Sequence, residues 1–356
     1  MERVPRVSPY VTRICPALFP LLLLLLVFSP CNQAQTVPSG PEAAQLAEAR
    51  SLLDKGLVSD AERLARAFLN EHQDSAEAHF FLGYILFKEI QTDAERDRSS
   101  LRDEYQQSSQ PRASSGLRDA LAKASLAEFT EGAKYHPPGA FELKIVALDY
   151  VLLGDYADAD KWLTRSVQRD PEDEQAWYYL GRAKYNENRF AEAINAFEQC
   201  LKRNAKNVKA EENLGLAYAG LGRTEDAISA YKTAMAWQEN ALSKDAGPYI
   251  NMGDLLLDQN RSDEAVSYLQ QAIQISSENS KAHELLGKAY TRLNQLVLAQ
   301  AELERAISLS PQVASLHCML GPIYRKQSLP AKAEAEFERC SSLSNAPRPA
   351  LGAPHP

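Results

Sequence analysis

The sequence repeats itself at a spacing of 34 residues. One clear copy begins at Glu174 and contains Leu180, Gly181, Ala193 and Phe197. The leucine–glycine pair, at positions 7 and 8 of each unit and once with methionine, recurs as Leu82-Gly83, Leu180-Gly181, Leu214-Gly215, Met252-Gly253, Leu286-Gly287 and Leu320-Gly321. An alanine at position 20 recurs as Ala61, Ala159, Ala193, Ala227, Ala265, Ala299 and Ala333. A period of this length predicts a stack of similar supersecondary units.

The composition, together with turn-forming residues at fixed positions of the unit, indicates that each unit is a pair of helices. Alanine, leucine, glutamate, lysine and arginine dominate, and these residues lose little side-chain freedom in a helix. Small residues at positions 8 and 20 would let two helices approach closely. Position 15 is predicted to be a turn with positive φ, and position 32 holds prolines between units. The turn residues are Gly56, Gly154, Gly222, Asn188, Asn260 and Asn294, and the prolines are Pro137, Pro171 and Pro311.

This pattern resembles the tetratricopeptide repeat, which has large residues at positions 4, 11 and 24 and small ones at 8, 20 and 27. The resemblance implies an all-α fold, a right-handed superhelical solenoid of about eight antiparallel helix pairs over residues 42–347. The first unit is weak, with Ala49 in place of the glycine, and the third has Val146-Ala147. The units begin near Glu42, Ala76, Ala140, Glu174, Val208, Ala246, Ser280 and Ala314.

Two units depart from the period. In the second, Ser125, Phe129 and Gly132 fit positions 20, 24 and 27 but come 30 residues late, so we expect an insertion at about 89–118. Apolar residues at helical spacing in the inserted segment favour two lengthened helices forming a protruding hairpin, and a disordered polar loop is the alternative. In the fifth unit, about four extra residues near 240–247 delay the next unit.

The N-terminus resembles a secretory signal. Arg3, Arg6 and Arg13 precede an apolar run from Ala17 to Phe28, which is shorter than a membrane-spanning helix needs. We predict a signal peptide over residues 1–34, cleaved after Ala34, then a linker over 35–41, with a disordered tail at 348–356. The protein is therefore expected to be periplasmic or secreted. The alternative is a membrane protein held by an uncleaved N-terminal anchor and facing the exterior of the cytoplasm.

Cysteine usage argues against a disulfide framework. Three of the five cysteines lie beyond the predicted signal, and an odd number in an exported chain does not suggest systematic pairing. Cys200 and Cys340 occupy position 27, where other units mostly hold alanine, serine or glycine, so we expect small buried thiols. Cys318 does not fit this pattern and is expected to be partly exposed.

The sequence predicts no catalytic site, no cofactor and no metal. It lacks phosphate-binding glycine loops, nucleophile elbows and paired-cysteine metal motifs. His79, His283 and His317 all occupy position 4, in separate units, so they are interpreted as polar packing residues. A net charge of -8 without a concentrated basic footprint makes nucleic acid an improbable partner.

The resemblance also implies a concave groove lined by positions 2, 5, 9, 12 and 13 of each first helix. Such a groove would bind a protein or an extended peptide. The predicted groove residues are Phe80, Tyr84, Phe87, Phe141, Tyr178, Arg182 and Tyr185 at an aromatic end, and Lys281, Lys288, Arg292, Arg325 and Lys326 at a basic end. The alternative is that the aromatic positions pack between units and that the basic positions form a solvated face. For the family's carboxylate clamp, Asn251 and Lys281 match the motif, whereas Glu212, Leu216 and Leu285 depart from it.

The function expected from these features is a non-enzymatic scaffold or adaptor for proteins, in a bacterial cell envelope or outside the cell. A glycan-binding repeat protein is the alternative, because Tyr84, Tyr178 and Tyr185 could stack on sugar rings. An enzyme whose site is assembled only by the fold is the least favoured function.

Overall fold

The computed structural model describes residues 41–103 and 114–345, and the side chains of 45–92 and 116–345 among them. Every regular element in these ranges is a helix, and the helices alternate as first and second members of eight antiparallel pairs. The predicted signal peptide, residues 35–40 of the predicted linker and the predicted tail lie outside the described residues. The last residue of that linker, Pro41, already begins the first helix.

The first helices of the pairs are α1 (Pro41–Asp54), α3 (Ala76–Asp103), α5 (Ala140–Leu152), α7 (Glu174–Asn186), α9 (Val208–Gly220), α11 (Gly247–Asp258), α13 (Ser280–Arg292) and α15 (Ala314–Lys326). The second helices are α2 (Val58–Glu71), α4 (Ser114–Gly132), α6 (Tyr156–Arg169), α8 (Phe190–Arg203), α10 (Thr224–Trp237), α12 (Ser262–Ile275), α14 (Leu296–Leu309) and α16 (Pro330–Ser344). Side chains of Asp173, Asn207 and Asn279 cap α7, α9 and α13 by accepting hydrogen bonds from backbone amides, which otherwise lack helical partners.

The packing role of the repeated small residues is confirmed. A Cβ atom on Gly181 would lie 2.5 Å from the ring of Phe197, so only glycine lets this large position-24 residue cross the first helix. The predicted turns are also confirmed: Asn188 has a φ of 59°, and the other five predicted positions have positive φ as well. Ser328 adopts the same conformation in the last pair, where the sequence did not predict it.

The pairs stack so that their first helices form one continuous face. From α3 to α15, each first helix packs on the next first helix, whereas the second helices pack on the first helices of their own and the following pair. The first helices therefore converge and form the inner face of the superhelix. This arrangement confirms the predicted all-α tetratricopeptide-type solenoid. Within the described ranges, none of the helices combines the length and the apolar character that crossing a bilayer requires.

The second pair carries the insertion. Helix α3 has 28 residues and α4 has 19, whereas the other helices have 12 to 15. Both helices of this pair are therefore lengthened, as the hairpin hypothesis requires, and residues 104–113 between them lie outside the described part. At the base of the pair, Phe129 lies against Gly83 and Phe80 lies against Gly132.

The expectation of unpaired cysteines is wrong for the last pair. Cys318 and Cys340 form a disulfide that joins α15 to α16, with their Cα atoms 5.2 Å apart. The physical reason is that positions 5 and 27 of one pair face each other, just as Phe80 faces Gly132 in the second pair. Cys200 is a buried free thiol, as predicted, and burial raises its pKa to about 11.

Candidate functional site

The aromatic end of the predicted groove contains a cavity of about 690 Å³ between α1, α3 and α5. Phe80, Tyr84 and Phe141 from the predicted groove line it. Phe80 stacks on Phe129 behind it, with ring centroids 5.9 Å apart, and Tyr84 meets Phe141 edge to face at 5.1 Å. Because these rings are held in place by neighbours, the cavity is preformed, and its size suits a ligand or a large side chain.

The cavity also contains charged residues that are not among the predicted groove residues. Arg50 and Asp54 come from α1, Glu77 from α3 and Glu142 from α5. The first two occupy positions 9 and 13 of the first unit, so applying the positional rule to that weak unit would have found them. Glu77 follows the same rule at position 2, whereas Glu142, at position 3, does not.

Several predicted groove residues instead pack within the stack. Phe87 is buried against Ile145 and Val146, so it fills the space between the second and third pairs. Tyr178 packs against Phe197, and Tyr185 packs against Phe190. Arg182 is the exposed member of this group, and its guanidinium lies 5.9 Å from the centre of the Tyr178 ring.

Most cations at the basic end are engaged by the protein itself. Lys281 pairs with Glu284 at 3.2 Å, and Lys288 lies 4.0 Å from a carboxylate oxygen of both Asp254 and Asp258. The other three cations of this end have different environments. Arg292 donates to the backbone carbonyl of Leu257, Arg325 lies over the ring of Phe337, and Lys326 is exposed without a carboxylate partner among the described residues.

Asn251, which matches the carboxylate-clamp motif, already makes a hydrogen bond within the protein. Its side-chain amide donates to Glu212 Oε1 at 2.7 Å, and burial, with the nearby charge of Asp245, raises the pKa of Glu212 to about 7. A carboxyl group in this place would disfavour a ligand carboxylate, because like charges repel. The geometry therefore agrees with the departure from the clamp motif.

The three position-4 histidines have equivalent environments. His283 places Nδ1 2.6 Å from a carboxylate oxygen of Glu302 and Nε2 3.0 Å from the backbone carbonyl oxygen of Ser277. His79 and His317 make the same two types of contact, with Glu128 and Glu336 as the carboxylates. Both partners of each ring are acceptors, so each ring makes both hydrogen bonds when both nitrogens carry protons. Each histidine thus ties its first helix to its second helix and to the preceding connection.

Models of the tetratricopeptide repeat family match residues 46–97, 174–207, 208–278 and 256–320. The chain belongs to this family, whose members are protein-interaction scaffolds. A stretch of 96 residues is 35% identical to the PEX5-related protein of Homo sapiens, and a similar stretch is 34% identical to that of Mus musculus. These matches cover 27% of this chain but only 15% and 16% of the two relatives, so the chain spans about a sixth of their length.

Solved structures show the same fold. A tetratricopeptide repeat protein from Parabacteroides merdae superposes with a TM-score of 0.56 at 16% identity, over 79% of this chain and 98% of the other. PilW, described as a widely conserved type IV pilus biogenesis factor, gives a TM-score of 0.52 at 18% identity, over 60% of this chain and 96% of its own.

Proposed function

We propose that this protein is a non-enzymatic scaffold that binds a protein, or an extended segment of one, along the inner face of the solenoid. The observation that carries the proposal is the preformed aromatic cavity between the first helices of three consecutive pairs. A segment lying on this face would reach several pairs at once, and a rigid cavity reduces the entropy lost on binding.

We further propose that the protein works outside the cytoplasm, in the cell envelope or beyond it. The sequence of the first 34 residues supports export. The Cys318–Cys340 disulfide also supports it, since such bonds persist in oxidising compartments and are rare in the cytosol. Fractionation of cells that produce the full chain, with mass measurement of the mature protein, tests both points. A full-length, reduced protein in the cytoplasm would contradict them.

Glycan binding receives less support. Sugar rings stack on open aromatic faces, but Tyr84, Tyr178 and Tyr185 each pack against another aromatic ring. A second contact site for the bound segment at the basic end also receives less support, because Lys281 and Lys288 already lie near carboxylates of the chain itself.

The binding face can be tested with a photo-crosslinking amino acid at Arg182, which is exposed on α7. The matched control places the same amino acid at Lys202, which is exposed on the second helix of the same pair. In cells that make the protein naturally, we expect discrete crosslinked products from position 182 and not from position 202. Equal products from both positions, or none from position 182, would contradict binding along the inner face.

A further inference from the structure

The charges around the aromatic cavity are unbalanced. Glu77 pairs with Arg50 through a contact of 2.6 Å, and the same guanidinium lies 5.4 Å from the centre of the Phe81 ring. Arg50 is therefore engaged on two sides. By contrast, Asp54 and Glu142 have no cationic partner within the part of the chain that the structure describes.

Lys144, two residues after Glu142 on α5, does not correct this imbalance. Lys144 lies over the ring of Phe141 at 5.7 Å, but its ammonium group is paired with Asp173 at 2.6 Å, and both side chains of this pair are largely buried. Near the α1 side of the cavity, burial raises the pKa of Tyr84, and the negative charge of Asp54 raises it further. The cavity thus combines a neutral aromatic wall with two unpaired carboxylates.

The aromatic wall remains accessible. Phe141 is 46% exposed, which is high for a large aromatic side chain, while its partner Tyr84 is half-buried. An open aromatic patch next to charged groups is typical of a surface that another molecule covers.

We propose that this cavity binds a partner segment in which a large apolar side chain stands next to lysine or arginine. The apolar side chain would enter between Phe80 and Phe141, and the cation would lie near Asp54 and Glu142. This preference is opposite in charge to the carboxylate clamp, and it rests on the proposed scaffold function.

Three fluorescein-labelled peptides with acetylated and amidated ends test the proposal. They are identical except for a central Trp-Lys-Lys, Trp-Glu-Glu or Ser-Lys-Lys, and binding to the full chain is followed by fluorescence anisotropy. We expect saturable binding of the Trp-Lys-Lys peptide, about tenfold tighter than that of either other peptide, and weaker binding at higher salt. Equal binding of the Trp-Glu-Glu peptide, or no saturation with Trp-Lys-Lys up to about 1 mM, would overturn the proposal.

Variants of the protein test whether the carboxylates of the cavity are responsible for peptide binding. The double variant Asp54→Asn with Glu142→Gln keeps side-chain shape and should weaken Trp-Lys-Lys binding about fivefold or more. The matched control is Asp263→Asn with Glu278→Gln, which removes two exposed carboxylates in the sixth pair and should leave binding unchanged. An unchanged affinity in the first variant overturns the proposal. Self-association of the unmodified chain that the first variant abolishes would make a second copy the occupant and would also overturn it.

The two proposals fail separately. If the peptides do not discriminate but position 182 still crosslinks a partner, the charge preference is wrong and the scaffold function stands. If position 182 crosslinks nothing, the scaffold function itself is contradicted.

Discussion

Replacing Asp149 with asparagine should stabilise the protein at neutral pH. Asp149 has no exposed surface on α5, and its Oδ2 lies 2.6 Å from Ser125 Oγ, which lies 2.9 Å from the carbonyl oxygen of Gly83. The single hydroxyl proton cannot serve both oxygens, so both contacts are satisfied when the serine donates to the carbonyl and the protonated carboxyl donates to the serine. Burial raises the pKa of Asp149 to about 8.

The magnitude follows from linkage between protonation and folding. The pKa of Asp149 is about 8 in the folded protein and 3.8 for an ordinary aspartate, so between these values the folded state holds one proton more than the unfolded state. The contribution to stability is complete below about pH 4 and is lost as the pH rises to about 8, at about 1.4 kcal/mol per pH unit. At pH 7 the loss is on the order of 4 kcal/mol, which an uncharged asparagine would avoid.

The assay is urea unfolding followed by circular dichroism, for wild type and Asp149→Asn, at several values between about pH 5 and about pH 8. The difference in stability should grow with pH, and the slope due to Glu212, whose pKa is raised to about 7, cancels in the comparison. Asp119→Asn, at an exposed position of α4, is the matched control and should match the wild type throughout. A difference that is constant with pH, or a variant less stable than wild type at pH 7, would refute the argument.

Three further changes test the packing of the stack. His283→Ala should lower the free energy of unfolding by about 2–3 kcal/mol, because it removes the hydrogen bonds to Glu302 and to a backbone carbonyl, and the same urea titration measures the loss. Reducing the Cys318–Cys340 disulfide, whose cysteines are 22 residues apart, should cost about 3 kcal/mol in the last pair, measured by amide hydrogen exchange with and without reductant. Unchanged exchange there would show that the crosslink does not hold the pair. Ser328→Gly should raise stability by up to about 1 kcal/mol, because its φ of 62° strains a serine, and an unchanged or lower melting temperature would contradict this.

The helix pairs were predictable because their signals are local and repeated. The turns at Asn188 and Gly222 were predictable because asparagine and glycine adopt positive φ more readily than other residues. Ser328 also has positive φ, but the sequence does not indicate it, because serine has no preference for this conformation. For the same reason, a local pattern does not show which of the predicted groove residues remain exposed.

The remaining features depend on which positions face each other. The disulfide follows from the contact between positions 5 and 27 of one unit, which Cys318 and Cys340 occupy. In the sequence, Asp149 resembles a surface carboxylate. Its burial becomes evident only from the packing of α5 against α4, where it contacts Ser125. At the aromatic cavity, Arg50 and Asp54 were missed because the first unit matches the repeat pattern only weakly.

The crosslink in the last pair also affects how local opening is distributed along the stack. In a solenoid each pair is stabilised by its neighbours, so pairs with fewer neighbours open more readily. The covalent link between α15 and α16 compensates for this at one end, whereas α1 and α2, beside the aromatic cavity, have no such link. Hydrogen exchange should therefore be faster in the first pair than in the crosslinked last pair. A partner that fills the cavity would slow hydrogen exchange in the first pair, where exchange is fastest. The exchange rate of this pair would therefore show whether the cavity is occupied.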